Sequence, residues 1–369
     1  MNLQQKIENI IKRNPEADDN EIAVLLKQLL YEKDVHDFAK TDAKSIAELA
    51  TETMDEITNE AESDIVIKTG FVALERFCNF YPGEFIVIGG RPAMGKTSFL
   101  LSLAQNVSET NPVLYITFEM SAQELSKRLL SAQAGVRIQK MKERDLQDCE
   151  KNQLFEKIKE LANHQLFIHD SCSSQITALK TQCKKQVKEN GIRVIIIDYL
   201  QLISHHNRRI NRDSEIGYIC RELKNLAKEH NVCVIVSSQL SRALETRGYS
   251  KKPQLSDLRE SGAIEQDADK VLFIYRPEYY GISEDECGNS TQGIADILVE
   301  KNRTGPTGRF QLKFIREFAL FQNISYDEPI PPSIMFPPKK NNNVEESDCG
   351  DFTFSSGRLK ELEESETPF

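Results

Sequence analysis

No run of apolar residues in this 369-residue chain approaches the length needed to cross a bilayer, and its opening, MNLQQKIENIIKRNPEADDN, lacks the basic-then-apolar order of a secretory signal. A cytoplasmic location with no membrane partner is expected. None of the eight cysteines (Cys78, Cys149, Cys172, Cys183, Cys220, Cys233, Cys287 and Cys349) belongs to a C-x-x-C pair, which argues against a metal framework. Cys220 and Cys233 fall in apolar helix and strand patterns and read as reduced packing residues. Strong charge of one sign is also missing from the middle of the chain. The net charge of −10 comes from the ends: residues 1–62 carry 7 Lys/Arg against 15 Asp/Glu, residues 340–369 carry 3 against 8, and residues 63–339 are left at +3. So mild a surplus fits a basic channel for nucleic acid and an ordinary solvated surface equally well.

At 39% apolar and 28% charged, the chain can bury one large core or two smaller ones. Residues 1–40 read as a short, polar helical segment. Residues 41–62 hold AKSIAELATETMDEITN, in which Ile46, Leu49, Ala50, Thr53, Met54 and Ile57 share one stripe at helical spacing. That stripe is too narrow to fold alone; it either covers this chain or docks on another. Across residues 63–327, strand-like runs alternate with helical patterns: FIVIGG, VLYITFEM, LFIHD, VIIIDYLQLI, CVIVSSQL, KVLFIYR, IADILVEKN and RFQLKFI. Such alternation specifies an α/β fold with a mainly parallel twisted sheet and antiparallel additions at its end. Residues 328–369, Pro- and Asn-rich and then acidic, are expected to be a disordered tail.

The stretch GEFIVIGGRPAMGKTSFLLSLAQN places Gly90-Arg91-Pro92-Ala93-Met94-Gly95-Lys96-Thr97, followed by Ser98, between a buried strand and an amphipathic helix marked by Phe99, Leu100, Leu103 and Ala104. This is G-x-x-x-x-G-K-[ST] in the context that gives it meaning, a phosphate cradle. Its glycines let successive N–H groups face one point, and the helix N-terminus adds positive potential. Lys96 offers a charge to the β and γ phosphates of ATP, and Thr97 offers a hydroxyl to Mg²⁺. Three more polar residues close apolar strands. Asp198 ends VIIID and suits the Mg²⁺ opposite Thr97, Glu119 ends VLYITFE and suits activation of the attacking water, and Gln239 ends CVIVSSQ and suits sensing of the γ-phosphate. One strand-terminal carboxylate is often only a cap; three such residues with a cradle make a constellation.

These segments, with TFEMSAQELSKRLLSAQAGV, SSQLSRALETR, LSDLRESGAIEQDADKVLFIYR and EKNRTGPTGRFQLKF, resemble the ATPase domain of the DnaB family, the bacterial replicative hexameric helicases with a RecA-like P-loop NTPase core. The resemblance covers roughly residues 65–325 in the same order, and DLRESGAIEQDAD is far more specific than the cradle. It implies that Lys96, Thr97, Glu119, Asp198 and Gln239 are the phosphate lysine, magnesium hydroxyl, catalytic glutamate, magnesium aspartate and sensor glutamine. In EKNRTGP it implies that Lys301 and Arg303 reach the neighbouring subunit's nucleotide, Arg303 as arginine finger. It places single-stranded DNA at Arg259, Glu260 and Gly262, where backbone N–H contacts would read no base. HHNRRINRD adds Arg208, Arg209 and Arg212 as a second channel loop or, equally, a solvated basic loop.

The implied activity is an ATP- and Mg²⁺-dependent helicase: a homohexameric ring that translocates 5′ to 3′ on single-stranded DNA and unwinds forked duplex in replication. The alternatives are a RecA-like, DNA-stimulated ATPase that remodels or loads DNA complexes, a ring that uses ATP only to assemble on DNA, and a phage or mobile-element variant. The 41–62 stripe resembles the family's linker helix, which packs on an adjacent subunit. The family's N-terminal collar is missing or replaced here, which puts primase binding in doubt. The last residues, ELEESETPF, resemble the acidic Pro-Phe ending of single-stranded-DNA-binding proteins and imply competition for their partners; an acidic solubilising tail is the alternative.

Overall fold

The structure is a computed structural model that describes residues 44–58, 66–205, 211–241, 243–247, 251–258, 262–285 and 287–324. The chain divides into two compact units after Val66. In the first, helix α1 (Ile46–Thr58) starts with a reciprocal cap, in which Ser45 Oγ accepts from the Glu48 N–H at 3.2 Å while Glu48 accepts from the Ser45 N–H at 2.9 Å. Its apolar Ile46, Leu49 and Met54 are exposed. The helices expected before residue 40 and the tail over 328–369 lie outside the described residues.

The second unit is built on one nine-stranded sheet. In chain order its elements are α2 (Val72–Phe77), β1 (Phe85–Gly90), α3 (Lys96–Ser108), β2 (Val113–Thr117), α4 (Ala122–Ala134), α5 (Ile138–Glu143), α6 (Asp148–Leu161), β3 (Leu166–His169), α7 (Ile176–Asn190), β4 (Val194–Asp198), α8 (Arg212–His230), β5 (Cys233–Gln239), α9 (Ala243–Thr246), α10 (Gly262–Asp267), β6 (Lys270–Tyr275), β7 (Ile294–Asn302), β8 (Gly308–Ile315) and β9 (Leu320–Gln322). Sheet order is β3-β2-β4-β5-β1-β6-β7-β8-β9, parallel from β3 to β6 and antiparallel beyond. The eight runs read from the sequence are β1 to β8; β9, three residues long, went unread.

The central strands are apolar throughout because helices cover both faces. Ile86 and Ile88 of β1 and Ile196 of β4 point into a core shared with α2, α3, α4, β8 and β9. Phe85, Val87, Ile195 and Ile197 point the other way, into a core shared with α7, α8 and α10. Each such side chain contributes about 1.5–3 kcal/mol on full burial, so truncating Ile196 to Ala removes a stabilising contact on one face and leaves a cavity. Cys220 and Cys233 are buried packing residues, as expected, Cys78 and Cys183 are buried too, and all described cysteines are unpaired. No helix among the described residues is long and apolar enough to cross a membrane.

Register puts the chemistry at one edge. Gly90 at the end of β1 lies beside Gln239 at the end of β5, and Thr117 at the end of β2 lies beside Asp198 at the end of β4. This is the carboxyl edge of the parallel strands, where ligands of open α/β sheets bind.

Candidate nucleotide site

The loop from β1 to α3 takes two left-handed residues, Ala93 (φ +64°) and Gly95 (φ +92°), and Gly95 is the N-cap of α3. The turn aims the first N–H groups of α3 at the space above β1. Lys96 folds back over the loop, donating from Nζ to Gly90 O at 2.9 Å and Arg91 O at 3.2 Å. Burial lowers its pKa to about 8, against the pull of the Asp198 and Glu119 carboxylates. Carbonyls hold this ammonium but do not neutralise it, so a phosphate anion fits the electrostatic demand of the site.

Thr97 Oγ1 donates to Asp198 Oδ2 at 2.7 Å. The same oxygen accepts from Tyr115 Oη at 3.2 Å, and Oδ1 accepts from Ser237 Oγ. Burial and the Asp198 charge raise the Tyr115 pKa, so the phenol stays neutral and remains a donor. Asp198 is 3% exposed and oriented by three hydroxyls. A hydroxyl and a carboxylate in contact beside a phosphate cradle are the hard oxygen ligands that suit Mg²⁺, so the residues fit the ion. Glu119 stands two residues past the end of β2, exposed, close enough that its charge acts on Lys96 and Tyr199. Gln201 brackets the Gln239 backbone: its Nε2 donates to Gln239 O at 3.3 Å and its Oε1 accepts from the Gln239 N–H at 3.2 Å.

Lys301 and Arg303 are elsewhere. Asp269 O accepts from the Arg303 N–H at 3.0 Å, and Asp269 in turn donates its N–H to Phe85 O at 2.8 Å, at the start of β1. The cradle is at the other end of the same strand, roughly 20 Å away for six residues of strand. Within one protomer these two groups cannot meet. Gly262 is the first residue of α10. Arg212 begins α8 and is committed within its protomer, to Glu215 at 2.5 Å and Gln201 O at 2.6 Å. Arg208, Arg209, Arg259 and Glu260 lie outside the described residues.

The contacts that brace the cradle escaped the sequence reading, which has Arg91 only as a residue of the cradle itself. Arg91, inside the loop, is 5% exposed; its Nη2 meets Glu245 Oε1 at 2.5 Å and its Nη1 donates to Leu240 O at 2.9 Å. Arg276 stacks on Phe314, 4.2 Å from the ring centroid, and donates to Ala93 O at 3.3 Å. Glu245 and Arg276 have no local signature, because their partners are distant in sequence.

The chain matches the family model of the DnaB-like helicase C-terminal domain over residues 66–323. It belongs to that family. The replicative DNA helicase DnaB of Geobacillus stearothermophilus is 39% identical over 299 residues, covering 78% of this chain and 64% of that protein. The chain thus spans a little under two thirds of that relative's length. A solved ATPase domain is similar with a TM-score of 0.69 at 35% identity, over 77% of this chain and 100% of that one. A DnaB-like replicative helicase solved with attention to its interactions with primase is similar with a TM-score of 0.67 at 33% identity, over 87% of this chain and 75% of that one. The fold is therefore the RecA-like ATPase fold of DnaB-like helicases.

Proposed function

We propose that this chain is an ATP-dependent DNA helicase whose protomers close into a homohexameric ring, translocate 5′ to 3′ on single-stranded DNA in the cytoplasm, and unwind forked duplex during replication. One observation carries the shared-site reading: the cradle with Lys96, Thr97 and Asp198 and the basic pair Lys301 and Arg303 occupy opposite ends of one sheet. A protomer that offers a nucleotide site at one edge and a guanidinium at the other makes a complete site only against a second copy, and head-to-tail repetition of that contact closes a ring. The exposed Ile46, Leu49 and Met54 of α1 supply a further surface for a neighbouring protomer.

In this reading Lys96 and the loop N–H groups hold the ATP phosphates. Thr97 and Asp198 would hold Mg²⁺, which would supply charge neutralisation to the bound phosphates. Glu119 orients and deprotonates the attacking water, Gln239 contacts the γ-phosphate, and the neighbour's Arg303 compensates charge that develops in the transition state. Segments around Arg259 and Arg208 then take up DNA phosphates.

The test is forked-duplex unwinding by the full chain with ATP and Mg²⁺, beside ATP turnover with and without single-stranded DNA, for the wild type and Lys96→Ala. Unwinding that Lys96→Ala abolishes supports the helicase reading. DNA-stimulated turnover without unwinding would favour a remodelling or loading ATPase, and DNA-independent ring assembly without turnover would refute a motor.

A further inference from the structure

Asp269 immediately precedes β6, has a side chain 9% exposed and takes no part in the chemistry above. Its Oδ2 accepts from the Phe85 N–H at 2.7 Å and from Lys224 of α8, which also donates to Gly83 O at 3.0 Å. Its Oδ1 faces Arg303, with Nη1 at 3.3 Å. Arg303 is fixed at two more points: its N–H donates to Asp269 O at 3.0 Å, and its Nη2 donates to Gln266 O at 2.6 Å at the C-terminal end of α10. The side chain nevertheless stays 48% exposed. A guanidinium has five N–H donors, and the side-chain bonds to Asp269 and Gln266 use two. Arg303 is thus held from behind and open in front.

We propose that Asp269 is a positioning residue for hydrolysis across the protomer boundary: its carboxylate, locked by Lys224 and the Phe85 N–H, sets the direction in which Arg303 leaves the protomer. The proposal rests on the functional reading above, in which Arg303 meets a neighbour's nucleotide. A long side chain left unrestrained would lose its rotamer freedom on phosphate contact, and one already held loses less. Lys224 has a second use. It is the nearer cation on Asp269 and offsets the carboxylate charge, so the longer contact to Arg303 aims the guanidinium without competing strongly with a phosphate for it.

The experiment uses the full chain with Mg²⁺, ATP and single-stranded DNA. Asp269→Asn keeps an oxygen for Lys224 and the Phe85 N–H and turns an amide toward Arg303. The expected result is an ATP KM within about twofold of wild type and a kcat lower by about tenfold or more, because misaimed groups lose rate rather than affinity. Co-expression with Lys96→Ala protomers restores turnover, since the Asn protomer keeps an intact cradle and the Ala protomer an intact finger. A wild-type kcat, or a lost kcat that co-expression does not restore, overturns the proposal. If circular dichroism shows the Asn variant unfolded, Asp269→Glu takes its place with the same readouts, since it keeps the charge but displaces it by one methylene. Arg303→Ala in parallel separates the two failures. Full turnover in Arg303→Ala removes the functional reading itself, whereas an inactive Arg303→Ala beside a wild-type Asp269→Asn removes only the role of Asp269.

Discussion

Arg91 and Glu245, 154 positions apart in sequence, meet at the rim of the phosphate loop, with Arg91 Nε and Nη2 both on Glu245 Oε1 at 2.9 and 2.5 Å. The arginine side chain is 6% exposed and the glutamate 45%, so the pair joins a buried cation to a carboxylate that water reaches. Arg91 also contributes the carbonyl that helps hold Lys96, so Glu245 braces the lysine at one remove. Glu245→Ala leaves Arg91 with the Leu240 carbonyl and whatever water enters. We expect a stability loss of about 1–3 kcal/mol, read from the urea midpoint, and a severalfold rise in ATP KM. An ATP KM identical to wild type would show that the loop keeps its shape without this brace.

Gly95 and Phe321 give a sharper prediction. Gly95 has φ +92°, and a Cβ there would stand 3.1 Å from Phe321 Cε2 and 3.4 Å from Phe314 Cε2. Gly95→Ala therefore meets both a disfavoured backbone and two rings, and should cost about 1–3 kcal/mol while displacing the N–H groups of the cradle. The control is Gly135, also left-handed at φ +63° but with nothing within 4 Å of its Cβ. Both alanine variants should melt lower than wild type, and only Gly95→Ala should lose nucleotide affinity. Equal ATP binding by the two would mean that the contact with Phe321 does not shape the loop.

The cysteines predict a pH dependence. Burial raises the Cys78 and Cys183 thiols to about 12 and pushes those of Cys220 and Cys233 up as well, whereas Cys149 and Cys287 are exposed. A raised thiol pKa leaves stability untouched below the unfolded value near 9. Above it the unfolded chain releases protons that the native state keeps, so stability falls as pH rises, by about 1.4 kcal/mol per unit for each buried thiol. Thermal melts from pH 8 to 10 should show that decline, reduced by Cys183→Ala once its packing cost at pH 8 is subtracted. In native protein at pH 8, a thiol reagent should label Cys149 and Cys287 promptly and the four buried thiols only on unfolding. Prompt labelling of Cys220 would contradict the burial of α8 against the sheet.

The strands were legible because burial on both faces makes β1, β4 and β5 continuous apolar runs, and the cradle was legible because only glycine and a small set of neighbours build that turn. β9 was not: LFQ is short, and its worth lies in Phe321, which packs on Phe99 with ring centroids 5.5 Å apart. The braces were hidden for another reason. Glu245, Arg276 and Asp269 meet their partners through the sheet order, which local pattern does not carry. Lys270 looks like the polar start of a strand, yet it is fully buried, paired with Glu84 and set over the Tyr81 ring. Tertiary structure alone decides whether such a charge is solvated or paired.

Arg212 is the residue on which the sequence and the structure point to different tests. Its place in HHNRRINRD suggests a DNA phosphate as partner, but its guanidinium lies on Glu215 and on the carbonyl of Gln201, whose side chain brackets the Gln239 backbone. Glu215 also accepts from the His205 N–H at 2.8 Å, so His205 and Arg212, on either side of segment 206–210, are tied through one carboxylate. A phosphate contact and a brace have distinct signatures. Loss of a DNA contact weakens binding uniformly and makes its salt dependence shallower, whereas loss of a brace lowers turnover at saturating DNA. The guanidinium is already engaged, so for Arg212→Ala we expect an unchanged salt slope for single-stranded DNA binding and a kcat several times below wild type. Gln201→Leu, close in volume and without the amide, should lower kcat in the same way and leave ATP KM near wild type, because it alters the strand end that carries Gln239 rather than the cradle. A shallower salt slope in Arg212→Ala with full turnover at saturating DNA would return this residue to the channel.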